Sequence, residues 1–138
     1  MQGGIEMPNR FKFRVYVDDI GIINNVGIVG NEVYIDFDGG AYDICDINAS
    51  DINIMQWTGL YDKKGTEIYE GDIVSIEISN QEKPYSAKVE FTDCSFCFDL
   101  IDREYWIEDW NLVDDGHKFT VIGNIYENPE LLIELRGF

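Results

Sequence analysis

Glu70 and Asp72 stand two residues apart in "YEGDIV". On a strand, positions i and i+2 share a face, so these carboxylates are a candidate cation site or acid/base pair. That segment holds no histidine, serine or basic partner to complete a catalytic set. Gly71 followed by Asp72 also suits the entry to a barrel strand, where glycine permits a bend and aspartate bonds neighbouring backbone. The second reading is the expectation. "CSFC" sets Cys94 and Cys97 at CxxC spacing, with Cys45 and the single histidine, His117, elsewhere. In an extended strand i and i+3 point to opposite faces, so the two cysteines share a metal only through a tight turn. Free thiols packed as small hydrophobes are expected, with no metal and no cofactor, and His117 in a turn.

Two other residue sets suit binding rather than chemistry. Trp57, Trp106 and Trp110 are candidate interface anchors, with core burial as the competing reading. Asp99, Asp102, Glu104, Glu108, Asp109, Asp114 and Asp115 would imitate phosphate charge if they gathered on one face.

The elements that must position these residues are short strands. "FKFRVYV" alternates Phe11, Phe13, Val15 and Val17 against Lys12, Arg14 and Tyr16, a half-buried strand. Turns at Asn24–Asn25, Gly30–Asn31 and Asp38–Gly40 separate "IGII", "VGIVG", "EVYIDF" and "AYDIC", which describes an antiparallel meander. Ser50 or Asp51 is a candidate cap for a helical turn. "GLYDKKGTEIY" predicts a hairpin around "DKKG", with Asp62 bonding backbone two residues on and Gly65 at the position needing positive φ. "GDIVSIEI", "YSAKVEF", "DCSFCFDLI", "EYWIEDW" and "KFTVIGNIY" are five further strands, the number and spacing of a small SH3-like barrel. In "ENPELLIELRGF", Asn128 can cap and Pro129 suits the first helical position. Leu131, Leu132 and Leu135 give the short helix an apolar face. The expected fold is therefore mainly β. A small N-terminal β-meander lobe spans residues 7–54, and a C-terminal SH3-like barrel with a short terminal helix spans 55–138.

Composition limits what such a fold can do. The 138 residues, 45% of them hydrophobic, suffice for a buried core and argue against disorder. Ten Lys plus Arg against 27 Asp plus Glu give a net charge of −17. Phosphate-backbone affinity comes from cations, so direct nucleic-acid binding is not expected. No apolar run is long enough for a membrane span. "MQGG" reads as an extension with Met7 an alternative start, and no secretory signal is recognisable; a cytoplasmic protein is expected.

Two blocks carry a family resemblance. Gln56, Thr58, Gly59, Leu60, Asp62, Gly65, Ile68, Tyr69, Glu70, Gly71, Asp72, Ile73 and Val74 stand in "MQWTGLYDKKGTEIYEGDIV". Ile122, Gly123, Asn124, Ile125, Tyr126, Glu127, Asn128, Pro129, Glu130, Leu131 and Leu132 stand in "VIGNIYENPELL". Together they resemble the YopX family of phage and prophage proteins. "RFKFRVYVDD" is similar to the family's start, although Val15 occupies a place where a small residue is usual. The resemblance implies a mainly β fold with an SH3-like C-terminal part, a bacterial host cell, and no assigned catalytic residue. Gly59, Asp62, Gly65, Glu70, Gly71, Asp72, Gly123, Asn124, Tyr126, Asn128 and Pro129 are expected to be structural.

The expected function is a phage-derived, non-enzymatic module that binds an unidentified protein partner or self-associates as a homo-oligomer. The alternative is an acidic nucleic-acid mimic that inhibits a host nucleic-acid-binding enzyme.

Overall fold

A computed structural model describes residues 12–37, 42–77, 84–92, 95–100, 106–107 and 118–134. The chain is mainly β, with antiparallel sheets and one short helix. It divides into two compact units between Gly59 and Leu60.

The first unit contains β1 (Phe13–Val17), β2 (Gly21–Ile23), β3 (Val26–Val29), β4 (Glu32–Asp36), β5 (Tyr42–Asp46) and most of β6 (Ile52–Tyr61). β1 pairs with β2 on one side and β6 on the other, while β3, β4 and β5 form a separate three-stranded meander. Val15, Val17 and Ile52 from the first sheet meet Val33 and Ile35 from the second in one buried cluster. Alternation in β4 explains the geometry, since Val33 and Ile35 turn inward while Glu32 and Tyr34 turn outward.

Three expectations need correction here. Asn24–Asn25 is not a hairpin turn within one meander. It carries the chain from the sheet of β1 and β2 to that of β3, and the Asn25 carbonyl accepts the Asp36 amide at 3.0 Å. Residues after Ser50 and Asp51 form no helical turn but the ten-residue strand β6. Burial of Ile52 on one face and of Met55 and Trp57 on the other outweighs any local capping preference. Arg14 is buried rather than solvent-facing, on the same face as buried Met55. Its Nη2 donates to Sδ of its cross-strand neighbour Met55 at 3.6 Å.

The second unit contains β7 (Glu67–Tyr69), β8 (Asp72–Glu77), β9 (Tyr85–Thr92), β10 (Ser95–Leu100), β11 (Trp106–Ile107), β12 (Lys118–Asn124) and α1 (Glu130–Glu134). The antiparallel order is β11–β10–β9–β8–β12. Ile68, Val74, Ile76, Ala87, Val89, Phe98 and Phe119 form its core. Phe98 and Phe119 stack with ring centroids 5.0 Å apart. Ile73 and Cys97 are buried too, so β8 and β10 bury residues of both parities where alternation leads one to expect a single buried face. β12 carries an irregularity between Val121 and Gly123.

Candidate functional site

The first signature block folds as a hairpin closed by a single carboxylate. The Asp62 amide donates to the Thr66 carbonyl at 2.8 Å, and the Gly65 amide donates back to the Asp62 carbonyl at 3.0 Å. Asp62 Oδ1 accepts the amides of Lys64 and Thr66, each at 2.9 Å. Oδ2 accepts the amide of Val121 in β12, also at 2.9 Å. The Lys63 amide donates to the Phe119 carbonyl at 2.9 Å, so the loop occupies a free edge of β12 with side chain and backbone together. Burial alone would push the Asp62 carboxyl up. The three amide donors and the charge of Lys64 outweigh it and hold the group below the ordinary carboxylate range.

Glu70 and Asp72 do not share a strand face. β7 ends at Tyr69 and β8 begins at Asp72, leaving Glu70 and Gly71 as a corner between strands that are not paired with each other. Gly71 has φ 87° there, a conformation that non-glycine residues adopt at a cost. Its amide donates to Val89 at 2.8 Å, and its carbonyl accepts the Ile125 amide at 2.9 Å. Asp72 is 1% exposed, and its Oδ2 accepts the Tyr69 amide at 2.8 Å. Glu70 is half-buried and acts on Tyr126, whose hydroxyl is pushed up by burial first and by this charge second. One carboxylate of the candidate pair thus holds backbone and the other faces a tyrosine.

The second block closes the end of β12. Asn124 Oδ1 accepts the amides of Tyr126 at 3.0 Å and Glu127 at 2.9 Å, and its Nδ2 donates to Glu127 Oε1 at 3.0 Å. Asn128 was expected to cap the helix with its side chain. Instead its Oδ1 accepts the Asn124 amide at 3.1 Å, and its backbone carbonyl accepts the Leu131 amide. The side chain turns back because Gly123 leaves room for it: a Cβ on Gly123 would lie 2.6 Å from that oxygen. Pro129, without an amide to lose, stands immediately before α1. Gly59 lies exposed within β6, and Gly65 in the Asp62 loop.

The sulfur groups stay apart from this network. Cys45 packs against the first unit's core, and burial followed by Asp43, Asp51 and Asp46 pushes its thiol up, away from the reactive thiolate. Cys97 is a buried free thiol of the second unit, while Cys94 and His117 lie outside the described residues. Among the described residues, no three His, Cys, Asp or Glu side chains gather as metal ligands.

The tryptophan set changes most. Trp57 is 7% exposed, with the Lys12 ammonium 5.8 Å from its ring centroid. It lies on the face of Met55 and Arg14, which is also buried, so the competing core reading holds for Trp57 and the surface-anchor reading does not. The backbone of Trp106 forms part of β11, whereas its side chain and Trp110 lie outside the described residues. Of the acidic set, Asp99 sits 3.8 Å from Lys88, and the other six lie outside the described residues.

An apolar surface emerges where no tryptophan stands. Tyr34 and Ile44 are cross-strand partners on the outer face of the β3–β4–β5 sheet, and Gly27 is the partner of Tyr34 on the other side. Val29 is diagonal to Tyr34 and stands directly opposite Glu32. Val29, Tyr34 and Ile44 are 67%, 38% and 43% exposed. Glu32, Asp36 and Asp46 share this face. Sequence reasoning missed the surface because it counted Tyr34 among the polar, outward residues of β4. The available signal was one large apolar side chain on the outward parity of each strand.

Hairpins and corners held by backbone-bonding carboxylates and amides define a small antiparallel β protein in which Asp62, Asp72, Asn124 and Asn128 hold main-chain amides. A family model described as YopX protein matches residues 12–133, and the chain belongs to this family. It is 30% identical to protein EF1440 from Enterococcus faecalis, whose crystal structure superposes with a TM-score of 0.59 over 88% of this chain and 96% of that one. Protein yopX from Bacillus subtilis shares the fold at 21% identity, with a TM-score of 0.62 over 88% of this chain and 98% of that one. None of the curated proteins compared with the chain matches it.

Proposed function

We propose that the chain is a phage-derived, non-enzymatic protein-binding module that docks through the outer face of its three-stranded sheet. The observation that carries this reading is the exposed group of Tyr34, its cross-strand partner Ile44 and its diagonal neighbour Val29, on a sheet whose other face packs Val33 and Ile35 into the core. Contiguous exposed apolar groups on a regular surface mark interaction sites more often than isolated ones do. The signature carboxylates support the same reading from the other side, since Asp62 and Asp72 hold main-chain amides. We read the second unit as an SH3-like barrel that uses the Asp62 loop to cover β12, and so as the scaffold of the module.

Binding is tested with two variants, Tyr34→Lys and Ile44→Lys, that leave the core face of the sheet untouched. Proteins captured from bacterial lysate by the parent chain should be lost with both variants while circular dichroism stays unchanged. Identical capture by parent and variants would overturn the reading. Self-association through the same face is read in parallel by light scattering, as a parent oligomer that either variant dissociates.

A further inference from the structure

We infer that the partner enters as a strand: an uncharged, extended segment of another protein adds antiparallel to the free edge of β3 and makes the three-stranded sheet four-stranded. This rests on the docking role proposed above and adds how the occupant is held. Pairing within the sheet fixes which main-chain groups are open. The Asp36 amide bonds the Asn25 carbonyl, and hydrogen-bonded pairs alternate along an antiparallel ladder. Gly27 and Val29 therefore turn their amides and carbonyls to β4, whereas Val26 and Ile28 turn theirs to the other side. The Val26 amide is taken by the Asn24 carbonyl at 3.1 Å. The Val26 carbonyl and both main-chain groups of Ile28 remain, and among the described residues no strand pairs with this edge.

Two other edges are guarded. On β5 the Ile44 amide donates to the Asp43 carboxylate at 2.9 Å, and the Asp46 carbonyl accepts the Ala49 amide at 2.9 Å. β12 is covered by the Asp62 loop. Charged side chains and covering loops are the usual means by which a sheet edge refuses strands, yet "VGIVG" (26–30) has neither charge nor proline.

An added strand answers all three open groups, and its side chains fall alternately on the two faces of the sheet. Those beside Val26 and Ile28 extend the apolar face that packs on the first unit's core. The one beside Gly27 falls on the outer face, where nothing lies within 4 Å of the missing Cβ. Tyr34, the cross-strand partner of Gly27, stands two strand spacings, about 10 Å, from the new strand, so a large aromatic side chain reaches it across the glycine. The segment is thus an aromatic residue between two β-branched ones. A second copy fits less well. Self-pairing of β3 centred on Gly27 or Ile28 sets Gly27 against Gly27 or Val29, which leaves the notch without a large side chain. Each chain also carries a net charge of −17, which opposes association of two copies.

The test titrates the full chain, isotope-labelled, with the blocked peptide Thr-Val-Trp-Val-Thr and reads amide shifts and hydrogen exchange. In the free chain the Gly27 and Val29 amides should be protected and the Ile28 amide open. The peptide should protect Ile28 and shift Gly27, Val29 and Tyr34. Methylating both valine nitrogens removes the donors that face β3 and should abolish binding. Methylating the tryptophan main-chain nitrogen, which points away, should leave binding nearly unchanged. Replacing the tryptophan with alanine should weaken binding about fivefold to tenfold, and Gly27→Val, which fills open space, should remove that difference. Ile28 protection in the free monomer overturns the assignment, because the chain itself then covers the edge. Protection that grows with protein concentration overturns it in favour of a second copy. Equal binding of the valine-methylated peptide, or no binding at millimolar peptide, overturns it as well. Any of these results leaves the docking role standing if lysate capture is still lost with Tyr34→Lys and Ile44→Lys. Capture unchanged in both variants removes that role and the inference with it.

Discussion

Asp62 Oδ2 lies 2.9 Å from the amide of Val121, fifty-nine positions later in the chain. Through that bond a loop residue takes the place of a neighbouring strand at the edge of β12. With the bond from Lys63 to Phe119, it joins the start of the second unit to its last strand. The same carboxylate holds its own loop through Lys64 and Thr66, so loop shape and edge closure depend on one side chain.

Replacing buried Asp62 with Ala removes the acceptor of three backbone amides at once. Hydrogen bonds to a charged acceptor contribute about 1.5–3 kcal/mol each, with losses that are not additive, so Asp62→Ala should destabilise the fold by about 3 kcal/mol. Asp62→Asn keeps one acceptor oxygen and should cost less. Urea unfolding of both variants checks the order, and an Asp62→Ala midpoint equal to that of the parent contradicts the role.

The depressed Asp62 carboxyl makes stability pH-dependent with a definite sign. A group whose folded value lies below its unfolded value stabilises the fold above the unfolded value, and the contribution disappears as pH falls through the folded one. The parent should therefore lose stability relative to Asp62→Asn as pH drops below roughly 4, the unfolded carboxylate value. Thermal midpoints of the two proteins between pH 7 and pH 3 should converge. A constant gap across that range argues against a perturbed carboxylate.

Gly71 is buried at φ 87°, with both its backbone groups bonded to other segments. Gly71→Ala should cost about 1–2 kcal/mol from the left-handed backbone alone. Gly71→Asn, which tolerates that region better, should cost less. Guanidinium midpoints in the order parent, Asn, Ala are expected.

Gly123 and Asn128 should behave as a coupled pair. The Cβ of Gly123→Ala would displace the Asn128 side chain from the Asn124 amide. Asn128→Ala removes the same bond together with the two shortest contacts, leaving Leu131 Cδ1 at 3.0 Å. Each single change should cost about 1 kcal/mol, and the double variant less than the sum, read from a double-mutant cycle. Strict additivity means the two residues do not communicate.

Much of the second unit was legible because its decisive features are local. "DKKG" between two alternating arms, and glycine followed by aspartate at a strand entry, specify turns within a few residues, and the structure contains both. What local reasoning missed involves longer separations. Nothing near Asn128 indicates that its side chain serves Asn124 rather than α1; the vacant Cβ of Gly123 decides that. Glu70 and Asp72 suggest a shared face only if the strand is continuous, and a corner interrupts it. Residue type places Arg14 outward and leaves Trp57 open between surface and core, whereas Arg14, Met55 and Trp57 share a buried face of their sheet opposite Val15, Val17 and Ile52.

The sequence by itself determined the mainly β class, the hairpin at Asp62, the short terminal helix and membership of the YopX family. Period-two alternation, turn residues and signature spacing act over a few neighbours and are readable without coordinates. Only the tertiary structure decided which outward residues become a surface. Tyr34 and Ile44 stand side by side on one face, with Val29 diagonal to Tyr34, because the register of three strands places them there, while Trp57 is removed from solvent by packing. Register and burial depend on segments distant in the chain, and no local pattern records them.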